Sequence, residues 1–591
     1  MLTTRSRRTV LVAVATTCLS VAAVGAVAVA PSAAADATDP DFGPNVFVFD
    51  PTTPTADIQA KLDQLYAEQN SNEMGTSRYA VLFKPGHYDA NANLGYYETV
   101  AGLGRSPDDV DITGAVRVVG QPDPGSAAGI SALTNFWRSA ENLSVTPTDW
   151  SNQWAVSQAA PMRRVHIKGI LWLEPGNGGF SSGGYLADSK VDGITINGSQ
   201  QQWLTRNSVL GDIWTNGVWN QVFSGVTGAP AADYPSNPYT VLPTSPVTRE
   251  KPYLYVDDDG AYRVFLPALQ HNSSGTTWGG ADPEAGSSVP ITDFFIAKPS
   301  DSARTINKAL SHGKNLLLTP GVYHLDRALV VNRPNTVVLG LGMATLTPDN
   351  GTPALAVADG DGIRIAGLTI DAGPQNSAVL ARIGGVVRHH DHSANPISVQ
   401  DVFFRVGGPW EGKATRSLVV NSDDTLLDDV WAWRADHGNG VGWTQNTAAT
   451  GVNVNGDDVT AYGLFVEHYQ RYQTIWRGER GTTIFYQSEM PYDPPSQAAW
   501  TSPTGQGYAS YRVPWTVHTH TAYGLGVYSF FNQGVDIRAD RAIEVPKRPG
   551  MSLHDMVTVF LNGSGGIEHT VNDAGTAVVG SFGTSNVVSY P

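Results

Sequence analysis

Two glutamates, Glu467 and Glu489, are the residues whose type and spacing best suit catalysis. They lie 22 residues apart in a stretch, residues 430–495, that is dense in aromatic and polar side chains. Apolar surroundings raise the pKa of a carboxyl group, which can then protonate the leaving oxygen of a glycosidic bond near neutral pH. The alternative is that both are solvated or ion-paired turn carboxylates, as most glutamates are. The spacing alone leaves both interpretations open.

Aromatic residues near the two glutamates could bind a sugar, because a pyranose ring has an apolar face and polar edges. The candidates for such platforms are Trp443, Trp476 and Tyr486. Core packing is the alternative for each of them. His437, next to Asp436, either relays protons or orients a turn.

The sequence predicts no metal site and no cofactor. The only cysteine, Cys18, lies in the first 35 residues, which excludes thiolate ligands from the rest of the chain. Residues 423–424 and 457–458 are paired aspartates that we interpret as turn residues. Residues 257–260 resemble a calcium loop without its final glutamate, so we expect a hairpin there.

The chain repeats itself once. A short amphipathic helix that begins after Pro51 recurs after Pro299, at an offset of 248 residues. A Pro-Gly turn follows at residues 85–86 and again at 320–321, an offset of only 235 residues, because the first copy carries about thirteen extra residues around 70–77. A Gly-Leu-Gly turn and an apolar strand then match in the same order. These landmarks predict two copies of one module.

Short β-branched strands separated by Gly, Asn and Asp turns fill each module, for example at residues 193–197 and 399–403. Such units, repeated about every 20 to 35 residues, are typical of a solenoid. A β-sandwich is the alternative, but it would not ordinarily begin each module with a helix. We predict an all-β fold of two tandem right-handed parallel β-helices in one rigid body. We expect the N-terminal module to span 36–285 and the C-terminal module 286–591, joined by a linker near 279–288.

The first 35 residues have the features of a signal peptide. Three arginines precede an apolar stretch, residues 10–30, and three alanines, residues 33–35, form a small-residue cleavage site. This segment predicts a secreted protein, exported by the twin-arginine or the general secretory route. After cleavage we expect no membrane association.

The net charge of the chain limits the classes of molecule that it can bind. Its formal net charge is −16, and removal of the three signal arginines leaves −19. Such an acidic chain lacks the basic surface that nucleic acids require. It also disfavours anionic polymers such as pectate, so we expect a neutral substrate.

Four segments together resemble glycoside hydrolase family 55. Residues 463–473 and 486–492 are similar to that family's E-H…Y-Q and Q-[TS]-E-x-P-Y segments. Residues 184–188 and 198–207 are similar to its G-G-F-x-[SA]-D and Q-Q-[FW]-x-x-R-N segments. Members of the family are exo-acting β-1,3-glucanases with twin, pectate-lyase-like β-helices. The resemblance therefore implies a hydrolase of neutral, laminarin-like β-glucan, and we expect it to act as a monomer.

The resemblance also implies roles for individual residues. Glu489 would be the general acid, and the reaction would invert the anomeric carbon. The base stays open, since Glu467 would either polarise the attacking water or hold His468 and the hydrogen bonds of the site. Gln201 and Gln202, from the other module, would position that water or the sugar, with a hydrogen-bonded ladder inside a coil as the alternative.

Two other functions compete with this interpretation. A polysaccharide lyase on the same fold would need a basic catalytic residue and usually calcium ligands, which the acidic charge and the acid-rich centre disfavour. A non-catalytic β-helix that binds glycan or serves a structural role would not need an acid pair one coil apart.

Overall fold

Successive aliphatic runs of the C-terminal half form a sheet, here called the C-terminal sheet, whose strands pair side by side in chain order. Its strands are Phe294–Ala297, Asn315–Leu318, Val337–Pro348, Arg364–Asp371, Ser398–Val406, Leu426–Arg434, Thr460–Glu467, Gly481–Glu489, His520–Phe531, Met551–Gly563 and Gly583–Tyr590, with Val322–Leu325 beside the third. All pairs are parallel except the last. A second parallel sheet on the same coils contains Leu329–Val331, Leu355–Val357, Ala381–Ile383, Ala414–Val420, Ala448–Val454, Thr474–Trp476, Tyr511–Arg512 and Ile543–Glu544.

The computed structural model describes residues 39–386 and 389–591. Pro40–Pro591 belong to one unit. The predicted signal peptide, residues 1–35, lies outside the described residues, so export stays a prediction. Within the described part of the chain, no helix is long and apolar enough to cross a membrane.

The N-terminal half forms a sheet of the same kind, here called the N-terminal sheet. Its main strands are Val46–Phe49, Tyr79–Phe83, Glu98–Gly102, Arg138–Pro147, Met162–Ile167, Gly184–Ala187, Gln202–Arg206, Asn220–Ser224 and Tyr239–Leu242. Side branches are Gly86–Asn93, Val110–Arg117, Lys190–Val191 and Val209–Leu210, and the second sheet is Asn152–Gln153, Leu171–Trp172, Thr195–Ile196 and Trp214–Thr215. The predicted all-β class is therefore confirmed.

Each half contains the repeated helix, but in both halves a strand of the main sheet, Val46–Phe49 or Phe294–Ala297, precedes it, so the prediction that each module begins with a helix is wrong. The helices are Thr55–Gln69 and Ala303–Ser311, and both bury the apolar residues of their periodic pattern. Short 3₁₀ turns occur at Pro107–Asp109, Ile291–Asp293 and Gln497–Ala499. Small strands outside the main sheets are Gln121–Pro122, Ile130–Ser131, Thr501–Ser502, Gly505–Gln506, Ile537–Ala539, Gly565–Ile567 and Val578–Val579.

Antiparallel strands connect the two halves. Tyr253–Val256, Tyr262–Pro267 and Gly286–Pro290 form one three-stranded sheet, and Ser245–Arg249 pairs with Leu269–Ser273. The hairpin predicted at residues 257–260 is confirmed. The predicted boundary after residue 285 falls just before the last strand of the three-stranded sheet.

Aliphatic ladders form the interior of the C-terminal coils. One ladder runs through Val399, Leu427 and Ala461 on neighbouring strands, and a second through Val430 and Leu464. Because every coil places the same residue class above the one before, each side chain is covered on both sides. Burial of each aliphatic side chain is worth about 1.5–3 kcal/mol, so the ladders hold the coils in register.

In the seven successive strands from Arg364–Asp371 to Met551–Gly563, one residue per strand has left-handed backbone and interrupts the pairing. The residues in this column are Gly367, Asp401, Asp429, Gly463, Phe485, Gly524 and Asp555, with φ between 51° and 70°. In the strand Thr460–Glu467, the interior side chains are Ala461, Leu464 and Val466. The interruption therefore shifts the alternation by one residue, so Glu467 points outward, towards the N-terminal half.

Outward-facing apolar side chains of the two sheets pack against each other. The layer contains Tyr97, Trp137, Tyr185, Leu204 and Val222 from the N-terminal half, and Phe403, Trp431, Trp433, Tyr462 and Phe465 from the C-terminal half. Three tryptophans of this layer, Trp137, Trp431 and Trp433, lie with ring centroids 5.4–5.7 Å apart. The layer fixes one half against the other beside the acid pair.

Candidate active site

Residues from both halves line a cavity of about 590 Å³. The N-terminal half contributes Gln158, Ser182 and Gln201. The C-terminal half contributes Asp436, His437, Glu467, His468 and Glu489. The remaining wall is largely aromatic: Phe136, Phe180, Trp219, Trp433, Tyr492, Phe530 and Phe582. An apolar cavity with a few converging polar groups is the usual form of a small-molecule site.

Glu467 and Glu489 stand on adjacent coils, as their spacing predicts. Phe465 lies opposite Gln487 in the parallel register, which places the two glutamates side by side at the ends of their strands. The backbone N–H of His468 donates to the carbonyl of Glu489 over 2.9 Å, which extends the pairing past the strand ends.

Glu467 is almost completely buried, at 3% exposed. Its Oε1 accepts a hydrogen bond from Gln158 Nε2 at 2.9 Å, and its Oε2 accepts one from Trp431 Nε1 at 2.8 Å. Burial, followed by the neighbouring carboxylate of Glu489, raises the pKa of Glu467 well above its usual range. Because Gln158 belongs to the N-terminal half, the Glu467 side chain is positioned by both halves.

Glu489 is the more accessible member of the pair. Its Oε2 accepts a hydrogen bond from the Tyr492 hydroxyl, and Gln487 Nε2 lies 3.4 Å from its Oε1. Burial raises the pKa of Glu489, against the opposing effects of His468 and Tyr492. Two neighbouring carboxyl groups with raised pKa values do not readily ionise together, so the pair can retain a proton near neutral pH.

His437 is held by two carboxylates in the wall of the cavity. Its Nδ1 lies 2.8 Å from Asp436 Oδ1, and its Nε2 lies 2.8 Å from Glu73 Oε1. Burial lowers the pKa of His437, but the hydrogen bonds to Asp436 and Glu73 outweigh burial and raise it to about 10. These two carboxylates therefore favour the charged form of His437, and its ring links the turn at Asp436 to Glu73 of the N-terminal half.

His468 lies between the acid pair and Asp436. Its Nδ1 is 3.2 Å from the carbonyl oxygen of Met490, which fixes the ring. Its Nε2 is 3.9 Å from Asp436 Oδ1 and 4.0 Å from Glu489 Oε2. Although burial acts to raise it, the pKa of Asp436 is held below its usual range by His468 and His437. The carboxylate of Asp436 is therefore charged while Glu489 can hold a proton.

The two glutamines predicted from the N-terminal module, Gln201 and Gln202, lie in different surroundings. Gln201 lines the cavity. Gln202 is fully buried, and its Nε2 donates to the carbonyl of Ser182 on the preceding coil. The prediction that Gln202 contacts water or sugar is therefore wrong, and its side chain forms part of a hydrogen-bonded ladder within the coils.

Two of the three predicted aromatic platforms are core residues. Tyr486 continues the aliphatic ladder between Leu464 and Leu525, and Trp476 lies opposite Val454 in the second sheet. Both are 0% exposed, so the prediction that they stack on a sugar is wrong. Trp443 lines a different cavity, of about 340 Å³, with Tyr508 and Arg471 among its neighbours.

Aromatic residues that we did not predict surround the acid pair instead. Phe180 is 52% exposed and Phe582 66%, and Trp219 lies 6.2 Å from Phe582 between ring centroids. These residues come from segments far apart in the chain, so no local spacing marks them. One feature of the sequence could have pointed to Glu73: it lies among the extra residues, around 70–77, that only the first copy of the repeat contains.

Among the described residues, two groups of histidines and aspartates bring possible metal ligands within 4.8 Å of one another. They are Asp359, His390 and His392, and His389, Asp423 and Asp457. Residues 423–424 and 457–458 are also turn residues, as expected: Asp423 Oδ1 accepts from the backbone of Asp457 at 2.7 Å. The sequence reasoning missed the histidine run at 389–392 as a source of ligands.

A buried acid pair in a largely aromatic cavity, on a fold of stacked parallel strands, defines a class: the enzymes that hydrolyse glycosidic bonds. A family profile described as "LAM55 pectate lyase-like domain" matches residues 294–489. An exo-beta-1,3-glucanase of Streptomyces sp. (strain SirexAA-E / ActE) is 53% identical over 553 residues, which are 93% of this chain and 90% of that protein.

Solved structures agree with the sequence comparison. The structure of sacteLam55A from Streptomyces sp. SirexAA-E matches with a TM-score of 0.90 and 52% identity, over 93% of this chain and 99% of that one. A glutamate-to-alanine variant of sacteLam55A in complex with glucose matches with the same values. The chain belongs to glycoside hydrolase family 55, as its motifs predict, and is a glycoside hydrolase.

Proposed function

We propose that this enzyme releases glucose from the ends of β-1,3-glucan chains with inversion of the anomeric carbon, and that Glu489 is the general acid. The observation that carries the proposal is the position of Glu489: it lies in an aromatic cavity beside a second buried carboxyl group that helps the pair retain a proton. The relative's name, exo-beta-1,3-glucanase, supports the substrate and the exo action. The glucose complex of the sacteLam55A variant supports glucose as the unit bound.

In this mechanism Glu489 transfers its proton to the glycosidic oxygen as the bond to the anomeric carbon breaks. The hydroxyl of Tyr492, which donates to Glu489, then stabilises the carboxylate that remains. A water molecule attacks the anomeric carbon from the opposite face and gives one proton to a carboxylate base. We assign this base to Glu467 on the adjacent coil: when Glu489 holds the proton of the pair, Glu467 is the ionised member, and both of its oxygens accept hydrogen bonds, from Gln158 and Trp431.

Substrate binding depends on the aromatic wall. The exposed faces of Phe180 and Phe582 and the ring of Trp219 offer apolar surface to pyranose faces. Gln201 and His468 offer hydrogen-bonding groups for hydroxyls. The wall carries no cluster of lysines or arginines within the described cavity residues, which suits a neutral polymer.

The proposal also covers the handedness of the coils, the oligomeric state and the secretion of the enzyme. The two stacks of parallel coils are right-handed β-helices, because parallel crossovers are right-handed in about 98% of cases. The enzyme acts as a monomer, because one chain supplies the whole cavity. Residues 1–35 direct its secretion.

The test compares laminarin, pustulan and pectate as substrates. We expect glucose from laminarin, little product from pustulan, and no unsaturated sugar from pectate. Proton NMR during the first turnovers should show α-glucose before mutarotation. Initial β-glucose would contradict inversion, and unsaturated product from pectate would favour a lyase. Binding of laminarin with no product would favour a non-catalytic glycan-binding protein.

A further inference from the structure

The run His389–His392 lies against turns of the C-terminal coils, far from the acid pair. These turns precede the strands Arg364–Asp371, Leu426–Arg434 and Thr460–Glu467, whereas Glu467 stands at the end of the last of them. A strand of eight residues spans about 26 Å, so the two sites lie at opposite edges of the sheet.

Asp359 brings its two carboxylate oxygens to two histidines. Asp359 Oδ1 is 3.0 Å from His392 Nε2, and Asp359 Oδ2 is 2.9 Å from His390 Nδ1. Two ligands on one tetrahedral zinc ion, each about 2.0–2.1 Å from the metal, lie roughly 3.3 Å apart. The three side chains can therefore converge on one ion with small adjustments.

The surrounding hydrogen bonds orient these groups as a metal site requires. The other nitrogen of His392, Nδ1, lies 2.7 Å from Asp361 Oδ1, which leaves Nε2 directed at Asp359. Metal-binding histidines almost always bond their second nitrogen to a carboxylate or carbonyl in this way. Ser422 Oγ donates to Asp359 Oδ1 at 2.7 Å, and the backbone N–H of His392 donates to Asp424 Oδ2 at 2.8 Å.

The neighbouring group is less suited to a metal. His389 Nδ1 lies 3.3 Å from Asp423 Oδ1 and 3.6 Å from Asp457 Oδ2. Those carboxylates already accept backbone hydrogen bonds from the next coil, and Arg480 lies 3.3 Å from Asp457. His392, by contrast, is 7% exposed and is fixed on both sides.

We propose that Asp359, His390 and His392 bind one divalent ion of the zinc class and clamp the 389–395 segment to the coil stack. Two imidazole nitrogens with one carboxylate favour zinc, cobalt or nickel over calcium and magnesium, which prefer oxygen ligands alone. Seven aspartates among the described residues of these turns supply a negative field that attracts a cation: Asp359, Asp361, Asp391, Asp423, Asp424, Asp457 and Asp458.

The test uses the full-length chain without a histidine tag, stripped with a chelator and titrated with zinc chloride by calorimetry at slightly alkaline pH. We expect one zinc ion per chain, a rise of a few degrees in Tm, and visible absorption bands when cobalt replaces zinc. Zinc should leave the rate of laminarin hydrolysis unchanged, because the site lies at the opposite edge of the sheet from the acid pair.

Matched variants identify the ligands. His390→Ala, at a half-exposed position, should weaken zinc binding about tenfold or more while circular dichroism and hydrolysis stay at wild-type values. Asp359→Asn should do the same, and His389→Ala, one residue away, should bind zinc as the wild type does. Absence of zinc binding by the wild type would show that the cluster is only a set of ion pairs. Equal losses in His389→Ala and His390→Ala, or none in His390→Ala, would also overturn the proposal.

Discussion

Single residues set the protonation state of the cavity. Burial raises the pKa of both Glu467 and Glu489, while Asp436 keeps its charge through His437 and His468. Carboxyl groups in one cavity therefore differ in pKa because their hydrogen-bond partners differ. Glu467 accepts hydrogen bonds from neutral donors such as Trp431, whereas Asp436 lies beside two histidines. This separation is what acid catalysis near neutral pH requires.

Tyr492 tunes the proposed acid. Its hydrogen bond lowers the pKa of Glu489, so Tyr492→Phe should raise that pKa and keep the acid protonated at higher pH. We expect the alkaline limb of the kcat/KM profile to move to higher pH. Tyr528→Phe is the control, since Tyr528 lies opposite Glu489 and its hydroxyl has no hydrogen-bond partner within the described residues. A limb that stays in place in Tyr492→Phe would argue against Glu489 as the titrating acid.

Among the elements, the column of left-handed residues decides which side chains reach the cavity. It shifts the alternation in the strands that carry it and so directs Glu467 and Glu489 towards the N-terminal half. Gly463 occupies this column with φ of 63°.

Gly463→Ala should destabilise the protein. An added Cβ would lie 3.0 Å from Tyr185 Cδ2, and the left-handed conformation costs an alanine about 1–2 kcal/mol. We expect a loss of about 1–3 kcal/mol in the free energy of unfolding, measured by urea denaturation. Gly280→Ala, where a Cβ would meet nothing within 4 Å, should have no effect. Equal stability of the two variants would refute the role of the column.

The sequence predicted the strands and helices of the fold better than it predicted the residues of the active site. Turn residues, repeated helices and the 22-residue spacing predicted the class of fold and the adjacency of Glu467 and Glu489, because these depend on local pattern. It assigned Tyr486 and Trp476 wrongly, since a solenoid interior accepts an aromatic residue wherever its neighbours leave room, and composition does not distinguish inside from outside. Glu73 and Gln158 reach the site only through packing of the two halves.

At the scale of the whole molecule, buried charges fasten one half to the other. Arg206 bonds both oxygens of Glu250, at 2.6 and 2.7 Å, and reaches Asp428 of the C-terminal half at 3.0 Å. Arg163 bonds Asp401 and Asp428 in the same region. Removal of one partner from such a network leaves buried charges without compensation.

Arg206→Ala should therefore cost about 3–5 kcal/mol of stability, measured by urea denaturation. Arg206→Lys should recover only part of this loss, because lysine cannot bond both oxygens of Glu250 at once. Arg327→Ala, which removes an exposed pair with Asp326, should leave the denaturation midpoint unchanged. A loss in Arg206→Ala as small as that in Arg327→Ala would show that the apolar layer alone joins the halves.

The proton donated by Glu489 is the centre of the proposed mechanism, and Glu489→Gln tests it most directly. This variant keeps the size of the side chain but cannot give a proton to the glycosidic oxygen, so activity on laminarin should fall by about 10²–10⁴-fold with Tm nearly unchanged. An aryl β-glucoside with a good leaving group needs little proton assistance, so it should restore much of the rate to Glu489→Gln and little to Glu467→Gln. Wild-type activity of Glu489→Gln on laminarin, or equal rescue of both variants by the aryl glucoside, would contradict the assignment.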